Sequence, residues 1–349
     1  MMRALRLHTV GPSIGDAELV LEDVARPDVG PVEVLVTVEA CGLGARDVEA
    51  ATSGAAQASS LPVTLGREAA GTIAVVGSEI RDWQPGDRVA VLPDRPCGAC
   101  GYCRIGRENL CRARRIAGVD ADGALATQVL TGADRLVPLP PEIPSHEGAI
   151  VADTVGTAAH AVKRAGAGDG SIVALFGLGG VGLHVLLLAK LAGSHVIGVD
   201  VDALALERAA AWGADAVVDA TADDPVALIG ELTGGGADRA IEASGVAVAA
   251  DHAVRSVAPG GRAVLVGHST ESLTTAAIAR LAGDELEIVG SGGPTVQDVG
   301  EVVDLIADDR LDLGRSVTTT VTLDAAADEL RRLGSREGHA VRTVVTDLG

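Results

Sequence analysis

The sequence predicts an α/β protein of two domains: an antiparallel, barrel-like β domain and a doubly wound parallel sheet. Three observations predict it. The chain has 349 residues, and at about 100–200 residues per domain two domains are expected. Short β-like runs crowd roughly the first 150 residues, after which strands and helices alternate. A glycine-rich strand–helix turn opens the second region.

The elements follow in order. "MMRALRLHTVG" reads as a first strand, without the apolar core of a secretion signal. "VEVLVTVEA", "AAGTIAVVG", "DRVAVLP" and "DRLVPLP" are further short strands. Turn residues at Gly77-Ser78, Pro85-Gly86-Asp87, Pro93-Asp94 and Pro140-Pro141 separate them. "SIVALFG" is an apolar strand, "GVGLHVLLLAKLAG" a helix, "HVIGVD" a strand and "DALALERAAAWGA" a helix. "ADRAIEASG", "GGRAVLVG" and "ELEIVGSGG" continue the alternation, which implies a parallel sheet covered on both faces. Beyond residue 292 come a helix, a strand ("VTTTVTL"), a helix ("DAAADELRRLG") and a last strand ("HAVRTVVTD") that can return to the first domain. The expected domains are 1–153 with 292–349, including a cysteine lobe at 94–112, and 154–291.

Composition narrows the function. Hydrophobic residues make up 47% of the chain, enough for a sizeable core, and aromatics only 1%, so Ala, Val and Leu must fill it. The formal charge of −20 argues against nucleic acid and anionic membrane as partners. No apolar run reaches the length of a spanning helix, about 18 residues. The expected location is the cytoplasm.

"ALFGLGGVGLHVLLLAKLAGSHVIGVD" carries Gly177, Gly179 and Gly182 as G-x-G-x-x-G after a strand and at the start of a helix. Gly177 allows the tight turn, Gly179 a close approach to a pyrophosphate, and Gly182 the packing of helix on strand. Gly180 and Val181 complete the turn, whose amides face the phosphates. Asp200 ends the next strand, where a carboxylate receives ribose hydroxyls and repels a 2′-phosphate. The expected cofactor is NAD(H) rather than NADP(H).

"CGACGYCRIGRENLC" spaces Cys97, Cys100, Cys103 and Cys111 by two, two and seven residues. Four thiolates match a closed tetrahedral structural Zn²⁺ site; iron–sulfur clusters use other spacings, and a reducing compartment disfavours disulfides.

Together these motifs resemble the zinc-containing medium-chain alcohol dehydrogenase family, over nearly the whole chain. "CGLGARD" (41–47), "GREAAG" (66–71), "PGDRVAV" (85–91), the cysteine lobe and "DG" (122–123) carry the resemblance in order, followed by "IEASG" (241–245), "GGRAVLVG" (260–267) and "IVGS" (288–291). It implies a GroES-like catalytic domain interrupted by a Rossmann domain. It also implies an active site between the two, a small-molecule substrate, and a homodimer or homotetramer. Thr157, Ala243, Val266 and Gly267 fall at the family's cofactor positions. Arg342 falls where a basic residue of relatives meets the pyrophosphate, a surface role being the alternative.

The family's catalytic zinc takes its first ligand from Cys41 and its third from Asp153, but Arg67 stands where the ligand histidine belongs. Arginine stays protonated, with a pKa above about 12, and has no lone pair to offer. Loss of the catalytic zinc is therefore expected, unless Glu68 or a nearby histidine such as His160 restores a ligand. Arg46 replaces the family's hydroxyl residue and Glu49 a common relay histidine, whereas Asp47 fits the pattern as an organiser of the site.

An ion pair of Arg67 with Asp153 or Glu68 is expected in the old metal site, with the guanidinium as structural filler or as donor to a developing oxyanion. Arg46 and Arg67 together point to a polar or anionic substrate. The expected reaction is hydride transfer between nicotinamide and an alcohol or carbonyl. Reduction of an activated C=C or C=N bond is the second reading, and a non-catalytic dinucleotide-binding sensor or assembly protein the third.

Overall fold

The computed structural model of the protein describes residues 1–52, 61–275, 278–335 and 340–348. His339, the first residue of the last expected strand, lies outside them. The chain forms two compact units, Met1–Gly156 with Pro294–Gly349, and Thr157–Gly293.

The first unit is built around the strand Glu33–Leu43, where "VLVTV" alternates its side chains between the two faces of the sheet. It pairs antiparallel with Glu68–Val76, Gln128–Gly132 and Arg342–Asp347, so the last strand does return to this unit. Arg88–Val91 and Leu136–Pro138 extend the sheet on one side, and Val317–Thr322 extends it on the other. That outermost pair is parallel. The helix Ala326–Gly334 provides the long crossover that a parallel pair requires. A smaller sheet joins Glu18–Val24, Met2–Thr9 and Val63–Thr64. Leu5, Leu7, Val34, Val36, Ile73 and Leu125 lie in the core, at most 1% exposed. Branched aliphatic side chains do the filling that aromatics do elsewhere.

The second unit is a six-stranded parallel sheet. Its strands, Ile172–Phe176, His195–Asp200, Ala216–Asp219, Ala237–Glu242, Val257–Leu265 and Glu287–Gly290, lie in the order 3-2-1-4-5-6. That is the doubly wound dinucleotide-binding order, with its crevice at the carboxyl ends of the first and fourth strands. Phe176, the only phenylalanine of the chain, is buried there. Asp202 and Asp224 cap the helices Ala203–Ala211 and Pro225–Thr233 by accepting from amides of the first turn.

Candidate functional site

In the second unit the glycine turn has the geometry its spacing implies. Gly177 has φ +88, and a Cβ there would press on Ser244 at 2.8 Å. A Cβ on Gly182 would collide with the Gly177 carbonyl oxygen, so helix and strand meet only through glycine. Nothing lies within 4 Å of a Cβ built on Gly179, which leaves that side open for a phosphate. Gly180 opens the helix Gly180–Leu191, and Val181 follows in its first turn. Asp200 accepts from the amides of Leu178 at 2.6 Å, Val201 at 2.7 Å and Asp202 at 3.0 Å. These bonds fix the carboxylate at the strand end, and its remaining lone pairs can still accept from ribose hydroxyls. Ala243 donates to the Phe176 carbonyl and Val266 to the Glu242 carbonyl, both at 2.8 Å, with Gly267 next to it. Ala243 follows the strand next to that of Gly177, and Val266 and Gly267 follow the strand beyond it, all at carboxyl ends. Thr157 lies near the start of the helix Gly156–Ala165, half-buried, with His160 one turn on.

In the first unit three strands converge on a buried charged cluster. Cys41 and Gly42 lie between Ala69 and Glu68 on one side and Val345 and Val344 on the other. Glu68, on one flanking strand, reaches across Gly42 to an ion pair with Arg342 on the other. A Cβ on Gly42 would collide with that carboxylate, so glycine is required for the crossing. Glu68 also accepts from the Thr154 amide at 2.9 Å. Asp47 accepts from the amides of Gly44 at 3.0 Å and Gly66 at 3.1 Å, tying the helix Ala45–Thr52 to the turn before Arg67. Gly66 has φ +100, and a Cβ there would meet the Cys41 sulfur at 2.9 Å.

Arg67 is 9% exposed. Its Nε lies 3.4 Å from Asp153 Oδ2, an ion pair not aligned as a hydrogen bond. Neither Nε nor Nη1 finds a hydrogen-bond acceptor among the described residues. Asp153 sits in the wide helical turn Val151–Val155, whose altered spacing interrupts the regular helix at this point. Of the two partners foreseen for Arg67, the structure therefore gives it Asp153, and Glu68 goes to Arg342. Burial alone would lower the pKa of Arg67, but Asp153, Asp94 and Asp47 more than offset it and hold the guanidinium charged. Burial raises the Asp47 carboxyl, against the pull of Arg67. Burial, then Asp47, pushes the Cys41 thiol well above its ordinary range.

Arg342 has a side chain only 11% exposed, which excludes the surface alternative. Arg46 is 43% exposed and pairs with Glu49 at 2.6 Å, a surface pair on the helix outside the buried cluster. Asp94 escaped the sequence reading except as part of a turn. It lies at the stem of the cysteine lobe and its charge reaches Arg67. Only its place, three residues before Cys97, could have drawn attention to it.

The ligand atoms of Cys97, Cys100, Cys103 and Cys111 lie within 4.8 Å of one another, as one tetrahedral ion requires. The Cys97 amide donates to the Cys111 sulfur at 3.4 Å. Amides of Ala99 and Cys100 lower Cys97 to about 6, towards the thiolate that binds metal. No other such group of three or more metal-competent residues occurs among the described residues.

Two family models match the chain. One is the alcohol dehydrogenase GroES-like domain at residues 30–141, the other zinc-binding dehydrogenase at 180–308. An NAD-dependent alcohol dehydrogenase of Sulfurisphaera tokodaii is 37% identical over 251 residues, 69% of this chain and 71% of that one. The chain belongs to the zinc-containing medium-chain alcohol dehydrogenase family.

Among solved structures, a zinc-binding dehydrogenase of Sinorhizobium meliloti bound to NADP is 31% identical, with a TM-score of 0.87 over 99% of each chain. The alcohol dehydrogenase of Aeropyrum pernix is 30% identical, also with a TM-score of 0.87 and 99% coverage of both. The chain is thus an alcohol dehydrogenase-like oxidoreductase with the family's two domains. Its cysteine lobe has the donor set of the family's structural metal. At its second site Arg67 offers no lone pair and sets a fixed positive charge where the family has its histidine ligand. No helix among the described residues is long and apolar enough to cross a membrane.

Proposed function

We propose that this chain is an NAD(H)-dependent oxidoreductase that moves hydride between nicotinamide and a small-molecule alcohol or carbonyl, with Arg67 in the place of the catalytic zinc. The observation that carries this reading is the buried guanidinium with donors left unpaired beside Asp153. A buried donor without a partner is costly, about 1–3 kcal/mol, so such a group is kept where something else fills it. A carbonyl oxygen that becomes an alkoxide during reduction is an acceptor of that kind.

Bound NADH would supply the hydride. Gly177, Gly179 and Gly182 would admit its pyrophosphate, and Asp200 its adenosine ribose. Asp47 and Glu68 hold the backbone around Arg67 and Thr154, and Asp153 orients the guanidinium. The substrate oxygen would receive its hydrogen bond from Arg67 and, after hydride addition, its proton from solvent. Cys97, Cys100, Cys103 and Cys111 would hold one zinc that shapes the lobe and takes no part in hydride transfer.

A neutral or anionic oxygen suits a single guanidinium, which favours a polar small molecule as substrate. The absence of a metal-ligand set in the second site also suits reduction of an iminium or enone carbon, which needs less help from an electrophile. The family's common assembly, a homodimer or homotetramer in the cytoplasm, is part of the same reading.

The test is NADH oxidation with aldehydes, ketones, enones and iminium compounds. Arg67→Ala should lower kcat/KM for the best substrate by on the order of 10²–10³, the effect of losing one preorganised oxyanion donor. An unchanged kcat/KM in the folded variant would assign Arg67 a structural role only. Tight NADH binding with no turnover in the panel would favour a sensor.

A further inference from the structure

Glu242 ends the fourth strand of the parallel sheet and is only 2% exposed. Its Oε1 accepts from the Ser244 amide at 2.6 Å, the Ser244 hydroxyl at 2.5 Å and the Gly245 amide at 2.8 Å. Its main-chain carbonyl accepts from the amides of Val266 at 2.8 Å and Gly267 at 3.1 Å. One residue thus holds the loops that follow both the fourth and the fifth strands. The loops also meet backbone on backbone. Gly245 has φ +74, and a Cβ there would lie 2.5 Å from the His268 carbonyl oxygen. A Cβ on Gly267 would collide with the Gly245 amide nitrogen and come within 2.6 Å of Glu242 Oε2.

We infer that Glu242 is a positioning residue for the nicotinamide half of the cofactor: it fixes the loops 243–246 and 266–268 in the form that receives that half. The inference rests on the reading of this crevice as an NAD(H) site and extends it. A doubly wound sheet binds a dinucleotide across two mononucleotide halves. Asp200, at the end of the second strand, and the open side of Gly179 mark the adenosine and pyrophosphate end. The other half then extends over the ends of the fourth and fifth strands, where these loops lie. "ASG" at 243–245 has no side chain large enough to anchor its loop by apolar packing. The shape of that loop therefore depends on its hydrogen bonds, and bonds to a carboxylate are roughly twice as strong as neutral ones. A bound group held by loop backbone needs that backbone fixed beforehand.

The test separates the two halves of the cofactor. Affinities of the full-length protein for NADH and for adenosine monophosphate are measured by calorimetry. The monophosphate carries only the part that meets Asp200 and Gly179. Glu242→Gln keeps the shape of the side chain and removes its charge. It should weaken NADH by about tenfold and leave the monophosphate within about twofold. In the cofactor-free protein, the amides of Ser244 and Gly245 should exchange with water about tenfold faster in the same variant. Gly267→Ala, which wedges the two loops apart, should give the same split between the ligands, and it decides the matter if Glu242→Gln does not fold. NADH affinity unmoved in both variants overturns the inference. So does an equal loss for NADH and the monophosphate, the result of a generally loosened domain. The expected split, found in a protein that turns over nothing in the substrate panel, would end the proposed function and leave the positioning role standing.

Discussion

At the scale of single residues, the site turns on Arg67. By the family's pattern a histidine at that position is a zinc ligand with Cys41 and Asp153; arginine puts a permanent charge there, beside Asp153. The arginine could be read from its place in "GREAAG", because a residue type that cannot bind metal is visible without a structure. Its partner could not, since both Glu68 and Asp153 were available and only the fold shows Glu68 crossing Gly42 to Arg342. That second pair gives a prediction. Removing one partner of a buried ion pair strands the other charge, at about 3–5 kcal/mol. Arg342→Met should therefore lower unfolding stability in urea by that amount, and the double variant with Glu68→Gln should recover part of it. Asp200 gives another. Like charges brought together cost several kcal/mol, so NADH should bind at least about tenfold more tightly than NADPH in a fluorescence titration, and Asp200→Gly should narrow the gap. Equal binding of the two would remove Asp200 as the discriminator.

At the scale of elements, what was legible were the segments whose pattern is local. The Gly177–Gly182 turn, the helix behind it and the strand ending at Asp200 all follow from glycine spacing and apolar runs. The helix Ala45–Thr52 and the wide turn Val151–Val155 were not read, because the first is short and the second depends on packing rather than propensity. The helix Gly180–Leu191 also contains a titration probe. His184 is fully buried, with its Nδ1 2.5 Å from the Gly180 carbonyl, which it must face as a donor. Its ring meets Trp212 edge to face at 6.1 Å. Burial lowers its pKa from 6.5 to about 4. Between those values the unfolded chain holds a proton that the folded chain cannot, so stability is full above pH 6.5 and falls as pH drops towards 4. The loss attributable to His184 is on the order of 3 kcal/mol. Urea unfolding of wild type and His184→Leu across that range should show the difference, with the variant's curve the flatter; parallel curves would show that His184 does not titrate there.

At the scale of the whole molecule, the order of motifs along the chain announced the family, and the last strand returns to pair with Glu33–Leu43 in the first unit. The sequence could not show which side chains that return would bring together. Arg342 is 274 residues from Glu68, and no local pattern links them. The proposed chemistry rests on the charge in the second site more than on any feature of the fold. The most direct test is zinc per chain, measured by elemental analysis on active protein as isolated. One zinc per chain, lost when any of Cys97, Cys100, Cys103 or Cys111 is replaced, is the result predicted here. Two zincs per chain, the second lost with Cys41 or Asp153, would contradict the account and return the reaction to metal catalysis.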